Sequence, residues 1–261
     1  MKIGMVLEGG GMRGMYTAGV LDVLSENNIS VDVIIGVSAG AIFGCNFKSK
    51  QIGRTIRYNT KYCRNPEYSS IRSLIFTGDY FGADFCYNKI PFALDVFNTE
   101  VFKKNPCEFY VTCTDVETGK PVYHKCEKGD KADLQWFRAS ASMPLVSRIV
   151  DIEGQKLLDG GVSDSIPLSQ AISMGCQKNI VILTQPKNYV KKPNKMLPLI
   201  KIKYKKYPLF VETMANRHVL YNEQISLVEN AENQGNAFVF RPKEPLPVSR
   251  TEKDPLNLRQ A

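Results

Sequence analysis

The stretch Ile3–Leu24, "IGMVLEGGGMRGMYTAGVLDVL", sets the reading of everything that follows. A short apolar run closes on three glycines, an arginine and another glycine, and then changes period. Lys2–Leu7 reads as a buried first strand. From Met15 to Leu24 the apolar residues Ala18, Val20, Leu21, Val23 and Leu24 recur at helical rather than alternating spacing. Val31–Val37, "VDVIIGV", reads as a second buried strand, and Ala39–Phe47 as a helix rich in small residues. Strand, loop, helix, strand, turn, helix is the rhythm of a parallel sheet with crossover helices. The fold expected is α/β, a three-layer sandwich around a mainly parallel central sheet.

Gly9, Gly11 and Gly14 satisfy G-x-G-x-x-G, which invites a nucleotide reading. A dinucleotide site also needs an acidic residue at the carboxyl end of the second strand, to hold the ribose hydroxyls. Asp32 stands at the beginning of that strand. Its carboxyl end carries Gly36-Val37-Ser38-Ala39-Gly40 instead, a G-x-S-x-G between a strand and a helix. In a nucleophile elbow this pattern puts serine on a tight strand-to-helix turn with its hydroxyl exposed. The helix behind it supplies free N–H groups and a partial positive charge. The glycine loop at the end of the neighbouring strand would then face the oxyanion of a tetrahedral acyl intermediate. A transient alkoxide fits that loop better than a phosphate.

The proton acceptor is less plain. The chain holds two histidines, His124 and His218. The order Ser38, Asp159, His218 is formally that of an α/β-hydrolase triad, but His218 lies within a long helical pattern, whereas triad histidines ride loops. Asp159 follows a short apolar run in "LLDGGVSDSIP" and precedes two glycines, a strand-end position open to a cleft. A carboxylate can take the serine proton directly if burial raises its pKa from about 3.9. Asp164, in the same segment, reads as the cap of a helix over Ser165–Met174.

The remaining sequence sets bounds. The chain has 261 residues, 43% of them apolar, enough for one large core. Seven scattered cysteines form no C-x-x-C pair, so neither a disulfide framework nor a zinc site is expected, and a reducing compartment is. The N-terminus has no signal-peptide core and no stretch approaches 18 apolar residues, so a cytoplasmic protein is expected. Residues 50–105 are crowded with aromatics, as for a lid or an acyl-pocket wall. Glu108–Thr114 and Val122–His124 suggest a hairpin, Leu134–Ser142 a helix, Gln155–Leu158 and Asn179–Thr184 strands, Phe210–Asn233 a long helix, and Phe238–Phe240 a last strand. The net charge of +8 is uneven: Lys187 to Lys206 holds eight lysines and no acid. Within it Lys201, Lys203 and Lys205 alternate with Ile200, Ile202 and Tyr204, a strand-like amphipathic pattern suited to a solvated edge or an anionic membrane surface.

Together these residues resemble the patatin-like phospholipase family. Gly9-Gly10-Gly11-Met12-Arg13-Gly14 is similar to its oxyanion box. Gly36-Val37-Ser38-Ala39-Gly40 is similar to its elbow, Ala139-Ser140-Ala141-Ser142-Met143-Pro144 to its A-S-x-x-x-P block, and Asp159-Gly160-Gly161 to its D-G-G/A block. All four stand in the family's order. The resemblance implies a patatin-like sandwich and a serine acyl hydrolase acting on phospholipids, lysophospholipids or related esters, without metal or cofactor. Ser38 would be nucleophile and Asp159 base. The amides of Gly10, Gly11 and their neighbours, with Ala39, would form the oxyanion hole. Arg13 would anchor the loop or meet an anionic head group. Residues 1–185 would form the catalytic domain and 186–261 a basic extension packed on it, with peripheral contact to an anionic inner membrane surface and no nucleic acid. The competing readings are a carboxylesterase with a Ser38-Asp159-His218 triad and a non-catalytic binder of lipid or anionic surfaces.

Overall fold

A computed structural model describes residues 1–261. The chain runs β1 (Ile3–Leu7), α1 (Gly14–Glu26), β2 (Val33–Val37), α2 (Ala39–Lys48), α3 (Arg54–Tyr62), α4 (Ile71–Thr77), a π-helical segment (Phe85–Leu94) and α5 (Thr99–Lys104). It continues through β3 (Glu108–Asp115), β4 (Pro121–Cys126), α6 (Lys131–Ser140), β5 (Val150–Ile152), β6 (Gln155–Asp159), α7 (Leu168–Ser173) and β7 (Lys178–Ile182). The last elements are α8 (Leu197–Lys203), α9 (Pro208–Asn233), β8 (Ala237–Phe240) and α10 (Pro255–Gln260).

The strands form one sheet in the order β5-β6-β3-β2-β1-β7-β8, with β4 also on β3. The pairs β3–β2, β2–β1, β1–β7 and β7–β8 are parallel, and those of β3 with β4 and β6 are antiparallel. The near-continuous apolar runs of β1 and β2 follow from this, because a parallel sheet is covered on both faces. Alternate residues feed two cores. Met5, Leu7 and Ile34 pack with Leu21 of α1, Cys45 of α2, Phe102 of α5 and Phe137 of α6. Val6, Val33 and Ile35 pack on the other side with Leu168 of α7 and Tyr221 and Val228 of α9. This is the three-layer α/β sandwich expected, with a central, mostly parallel sheet.

The pairing on β3 places the site. β2 lies along one edge of β3 and ends at Val37, opposite Thr112. β4 holds the opposite edge of β3. β6 therefore enters on the β2 side, running the other way, and ends at Asp159 opposite Cys113. Two strands thus finish head to head at adjacent positions of β3, which brings residues 38 and 159 together across 121 positions of sequence.

Three local expectations are corrected. Residues 200–206 are not a strand: α8 covers Leu197–Lys203, because Ile200 and Tyr204, four apart, are the residues that bury, while Ile202 is exposed. The helix expected over Ser165–Met174 starts only at Leu168, after Pro167, and Asp164 does not cap it. Asp164 instead accepts the Tyr123 hydroxyl at 2.5 Å and the Gln224 amide at 2.7 Å.

Candidate active site

Ser38 sits between β2 and α2 with φ 54° and ψ −123°, a conformation costing a non-glycine residue about 1–3 kcal/mol. The turn closes because its flanking positions have no side chains. A Cβ on Gly36 would lie 2.5 Å from the Ala41 Cα, and one on Gly40 2.4 Å from the Leu7 carbonyl oxygen. The strain is held by a hydrogen bond from behind. The Ser38 N–H donates to Ser140 Oγ at 2.8 Å, and that hydroxyl donates to the Thr112 carbonyl at 2.6 Å. Ser140 is fully buried at the end of α6. The A-S-x-x-x-P block therefore acts as a strut between the elbow and β3.

In front, Ser38 Oγ donates to Asp159 Oδ2 at 2.7 Å, and Asp159 Oδ1 accepts the Gly161 N–H at 2.8 Å. The Asp159 backbone is fixed as well: its N–H donates to the Ser142 carbonyl, and its carbonyl accepts from the Thr114 hydroxyl at 2.8 Å. Burial pushes the Asp159 carboxyl up from the ordinary aspartate range. The Ser38 hydroxyl, the Arg217 guanidinium, the Gly161 amide and Arg250 oppose that rise.

The glycine loop lies beside this pair. A Cβ on Gly9 would come 2.8 Å from Ser38 Cβ, so the loop touches the serine. Within the expected block Gly9–Gly14, three amides are already committed: Met12 N–H donates to the Arg250 carbonyl, Arg13 N–H to Gly10, and Gly14 N–H to Gly11. The amides of Gly9, Gly10, Gly11 and Ala39 donate to no protein group. The set able to meet an oxyanion is thus narrower than the sequence block. Gly11 takes φ 58°, with its Cα against the Arg250 carbonyl, so the C-terminal segment clamps the loop.

Arg13 does not anchor the loop: its side chain makes no hydrogen bond, and Nε is buried without a partner. His218 is no third member of the site. It lies on α9 with Nδ1 3.0 Å from the Ala215 carbonyl of its own helix, while both oxygens of Asp159 are already engaged elsewhere. His124, on β4, stacks on Trp136 with ring centroids 3.9 Å apart.

Two cavities meet at Ser38. One is mostly apolar, lined by Tyr58, Tyr68, Tyr87 and Ile90 of the aromatic-rich segment 50–105 together with Phe43 of α2 and Phe137 of α6. The other, ≈ 240 Å³, is polar and lies on the side of Asp159 and the glycine loop, with Lys191, Arg217 and Arg250 in its lining. The sequence reading takes Lys191 only as one of the eight lysines of 187–206 and does not single out Arg217 or Arg250, since the three stand in unrelated segments. Glu8 closes the floor, fully buried, accepting the Thr184 N–H at 2.6 Å and the Tyr221 hydroxyl at 2.8 Å.

An elbow serine backed by a carboxylate, on a three-layer α/β sandwich with a glycine loop alongside, defines the class of protein. Residues 5–172 match the model of the patatin-like phospholipase family, and the chain belongs to that family. Residues 207–261 match a second model, described as a domain of unknown function (DUF6363). Among relatives, the uncharacterized protein YjjU of Escherichia coli K12 is 30% identical over 191 residues, covering 71% of this chain and 52% of that one. Lysophospholipase nte1 of Aspergillus fumigatus is 29% identical over 184 residues, covering 66% of this chain and 11% of that one. The chain therefore spans about half the length of the first and a small part of the second. Among solved structures, VipD from Legionella pneumophila aligns with a TM-score of 0.44 at 12% identity, over 99% of this chain and 66% of that one.

Proposed function

We propose that this protein is a serine hydrolase of lipid acyl esters, working through an acyl-enzyme on Ser38 and Asp159. The observation that carries the reading is the 2.7 Å hydrogen bond from a strained elbow serine to a buried carboxylate. In the first half-reaction Ser38 Oγ bonds to the ester carbonyl carbon and its proton passes to Asp159 Oδ2. The carbonyl oxygen, now negative, sits against the amides of Gly10, Gly11 and Ala39. Each well-placed donor of this kind contributes about 2.7–4 kcal/mol. The ester C–O bond then breaks, and the leaving alkoxide takes the proton from Asp159. In the second half-reaction water adds to the acyl carbon, gives its proton to Asp159, and Ser38 recovers one as the acid departs. Burial raises the basicity of Asp159, which suits this task. The apolar cavity beside Ser38 supports an acyl chain as the group transferred. Family membership and the lysophospholipase among the relatives support the same substrate class.

On this reading residues 1–185 are the catalytic unit and 186–261 an extension packed on it, since β8 pairs with β7 and Arg250 contacts the glycine loop. Peripheral contact with an anionic membrane surface is part of the proposal. On α4, Ile71, Ile75 and Phe76 are exposed, and on α8 so are Leu199 and Ile202, beside Lys201 and Lys203. The segment that follows α4 and α8 itself both reach the loop that lines the cleft, through Tyr80 N–H to the Val146 carbonyl and Lys203 Nζ to the Leu145 carbonyl. No helix is long and apolar enough to cross a membrane. Seven free cysteines suit a reducing, cytoplasmic setting.

The test is a fluorophosphonate probe with the adduct mapped by mass spectrometry. Labelling at Ser38 is expected, absent in Ser38→Ala and strongly slowed in Asp159→Asn. Failure of the folded protein to label under conditions that modify a control hydrolase would refute the reading. Co-sedimentation with vesicles should rise with their anionic lipid content, and indifference to it would remove the membrane contact.

A further inference from the structure

The polar cavity beside Ser38 gathers four cations from four segments: Arg13 after the glycine loop, Lys191 before α8, Arg217 on α9 and Arg250 near the C-terminus. Two carboxylates share it, Glu8 and Asp159. Both are already satisfied by hydroxyl and amide donors and pair with none of the four. The chain makes ion pairs elsewhere, yet no carboxylate lies within salt-bridge distance of Arg13, Lys191, Arg217 or Arg250.

Their polar atoms are largely unspent. Arg13 Nε is buried with no partner. Lys191 Nζ faces the Tyr221 ring, 3.9 Å from its centroid, and makes no hydrogen bond. Arg217 uses Nε on the Gly161 carbonyl. The Arg250 side chain makes no hydrogen bond, although its carbonyl fixes Met12. Cations on a solvated face spread apart and keep their water. These converge on one concavity and repel one another: burial first, and the Arg217 charge second, bring the Lys191 ammonium down to about 7. Folding has been made to carry that repulsion, which an anion seated among the four would relieve.

The charge count specifies the anion. Three guanidinium groups and an ammonium brought down to about 7, against two carboxylates, leave an excess of about 1.5 to 2 positive charges near neutral pH. A phosphomonoester carries about −1.5 to −2 at neutral pH, and guanidinium groups match its oxygens in pairs. A zwitterionic head group would bring a quaternary cation into the same cavity and lose the match. Ser38, Gly11 and Met143 line both cavities, so an ester positioned at Ser38 can have its chain in one and its head in the other.

We infer that the cavity formed by Arg13, Lys191, Arg217 and Arg250 is a head-group site for a phosphate monoester, making phosphate-bearing acyl lipids the preferred substrates. The inference rests on the hydrolase reading for its lipid half only; anion binding can be measured without turnover. Two arms separate the sources of phosphate. In the first, titration calorimetry measures inorganic phosphate, glycerol 3-phosphate and glycerol on the full-length protein, on Arg250→Gln, and on Lys191→Gln with Arg250→Gln. The exposed position of Arg250 keeps the single variant folded. Saturable binding of glycerol 3-phosphate but not glycerol is expected, weakened at least tenfold in the double variant. In the second, kcat/KM is compared for acylglycerol 3-phosphate, acylglycerophosphocholine and monoacylglycerol of one chain length. The monophosphate should lead by at least tenfold, and that ratio should collapse in Arg250→Gln.

Equal hydrolysis of the three lipids with no phosphate binding overturns the head-group site and leaves the hydrolase reading intact. Phosphate binding without any lipid preference also overturns it, with free phosphate as occupant. Glycerol 3-phosphate binding by a protein that neither labels at Ser38 nor cleaves lipid supports the anion site and fails the hydrolase reading alone.

Discussion

Replacing Ser140 by alanine removes one hydroxyl that serves two backbone groups. In the native protein Ser140 Oγ accepts the Ser38 N–H at 2.8 Å and donates to the Thr112 carbonyl at 2.6 Å, in a fully buried position. The variant strands a donor and an acceptor, each costing about 1–3 kcal/mol when left unsatisfied. Allowing for one water in part of the vacated space, the loss is about 2–3 kcal/mol. In a chain of 261 residues this lowers Tm by roughly 5–10 °C. The kinetic effect should be larger than stability alone explains, because the lost bond is one that holds Ser38 at φ 54°. An ångström of misplacement costs on the order of a hundredfold in rate. The assay is fluorophosphonate labelling of Ser38 below the melting range, with thermal unfolding run in parallel. Ser142→Ala is the control. Its hydroxyl only back-bonds to the Arg138 carbonyl, so it should change both readouts little. An unchanged labelling rate in Ser140→Ala, with Tm moved by less than about 2 °C, would refute the strut.

Asp159→Asn should abolish turnover yet stabilise the fold near neutral pH. Because burial raises this carboxyl, the folded protein binds a proton that the unfolded chain has released. Stability is lost as pH rises from the ordinary aspartate value through the folded one, and asparagine avoids that loss. A gain of about 0.5–2 kcal/mol by denaturant unfolding at pH 7, shrinking toward pH 4, is expected. His218→Ala should keep near-full esterase activity, with unfolding shifted by less than about 0.5 kcal/mol, since its ring's one hydrogen bond is to a carbonyl of its own helix. Gly40→Ala should cost about 3 kcal/mol, because its Cβ would lie 2.4 Å from the Leu7 carbonyl. Gly19→Ala on α1, where the added methyl meets nothing within 4 Å, should gain roughly 0.5–1 kcal/mol.

What the sequence disclosed was what local chemistry encodes. The glycine loop, the elbow and the apolar runs of β1 and β2 each occupy a few consecutive residues, and turn sterics or double-sided burial leave their mark there. The meeting of Ser38 with Asp159 has no such mark, since it depends on β6 entering antiparallel on the edge of β3 that β2 vacates. The Ser140 strut is equally silent: a serine at the end of a helix reads as any other until Thr112 and Ser38 arrive beside it. Alternation misled at residues 200–206, where three lysines and three apolar residues take turns. Ile200 and Tyr204 bury at helical spacing, and Ile202 points to solvent, so only two of the three apolar positions carried the signal. Lys191, Arg217 and Arg250 lie in segments with no shared motif, and only the tertiary fold makes them neighbours.

The cationic cavity also bears on how Asp159 can act as a base. Burial raises its pKa, while Arg217 and Arg250 pull it down, so the free enzyme holds a carboxylate that is less basic than its burial alone dictates. A phosphate seated on those cations cancels part of their field and leaves the burial effect in place. The head group should therefore raise the basicity of Asp159 at the moment the ester reaches Ser38. A neutral substrate leaves the cations uncompensated and brings no such change. The two cases separate in the pH profile. The acid limb of kcat, which reports the enzyme–substrate complex, should lie at higher pH for acylglycerol 3-phosphate than for monoacylglycerol. The acid limb of kcat/KM, which reports the free enzyme, should carry the same Asp159 step for both. In Arg250→Gln one opposing cation is gone before any lipid binds, so the two kcat limbs should draw together. Coincident limbs in the native protein would mean that the cations act on the head group alone and not through Asp159.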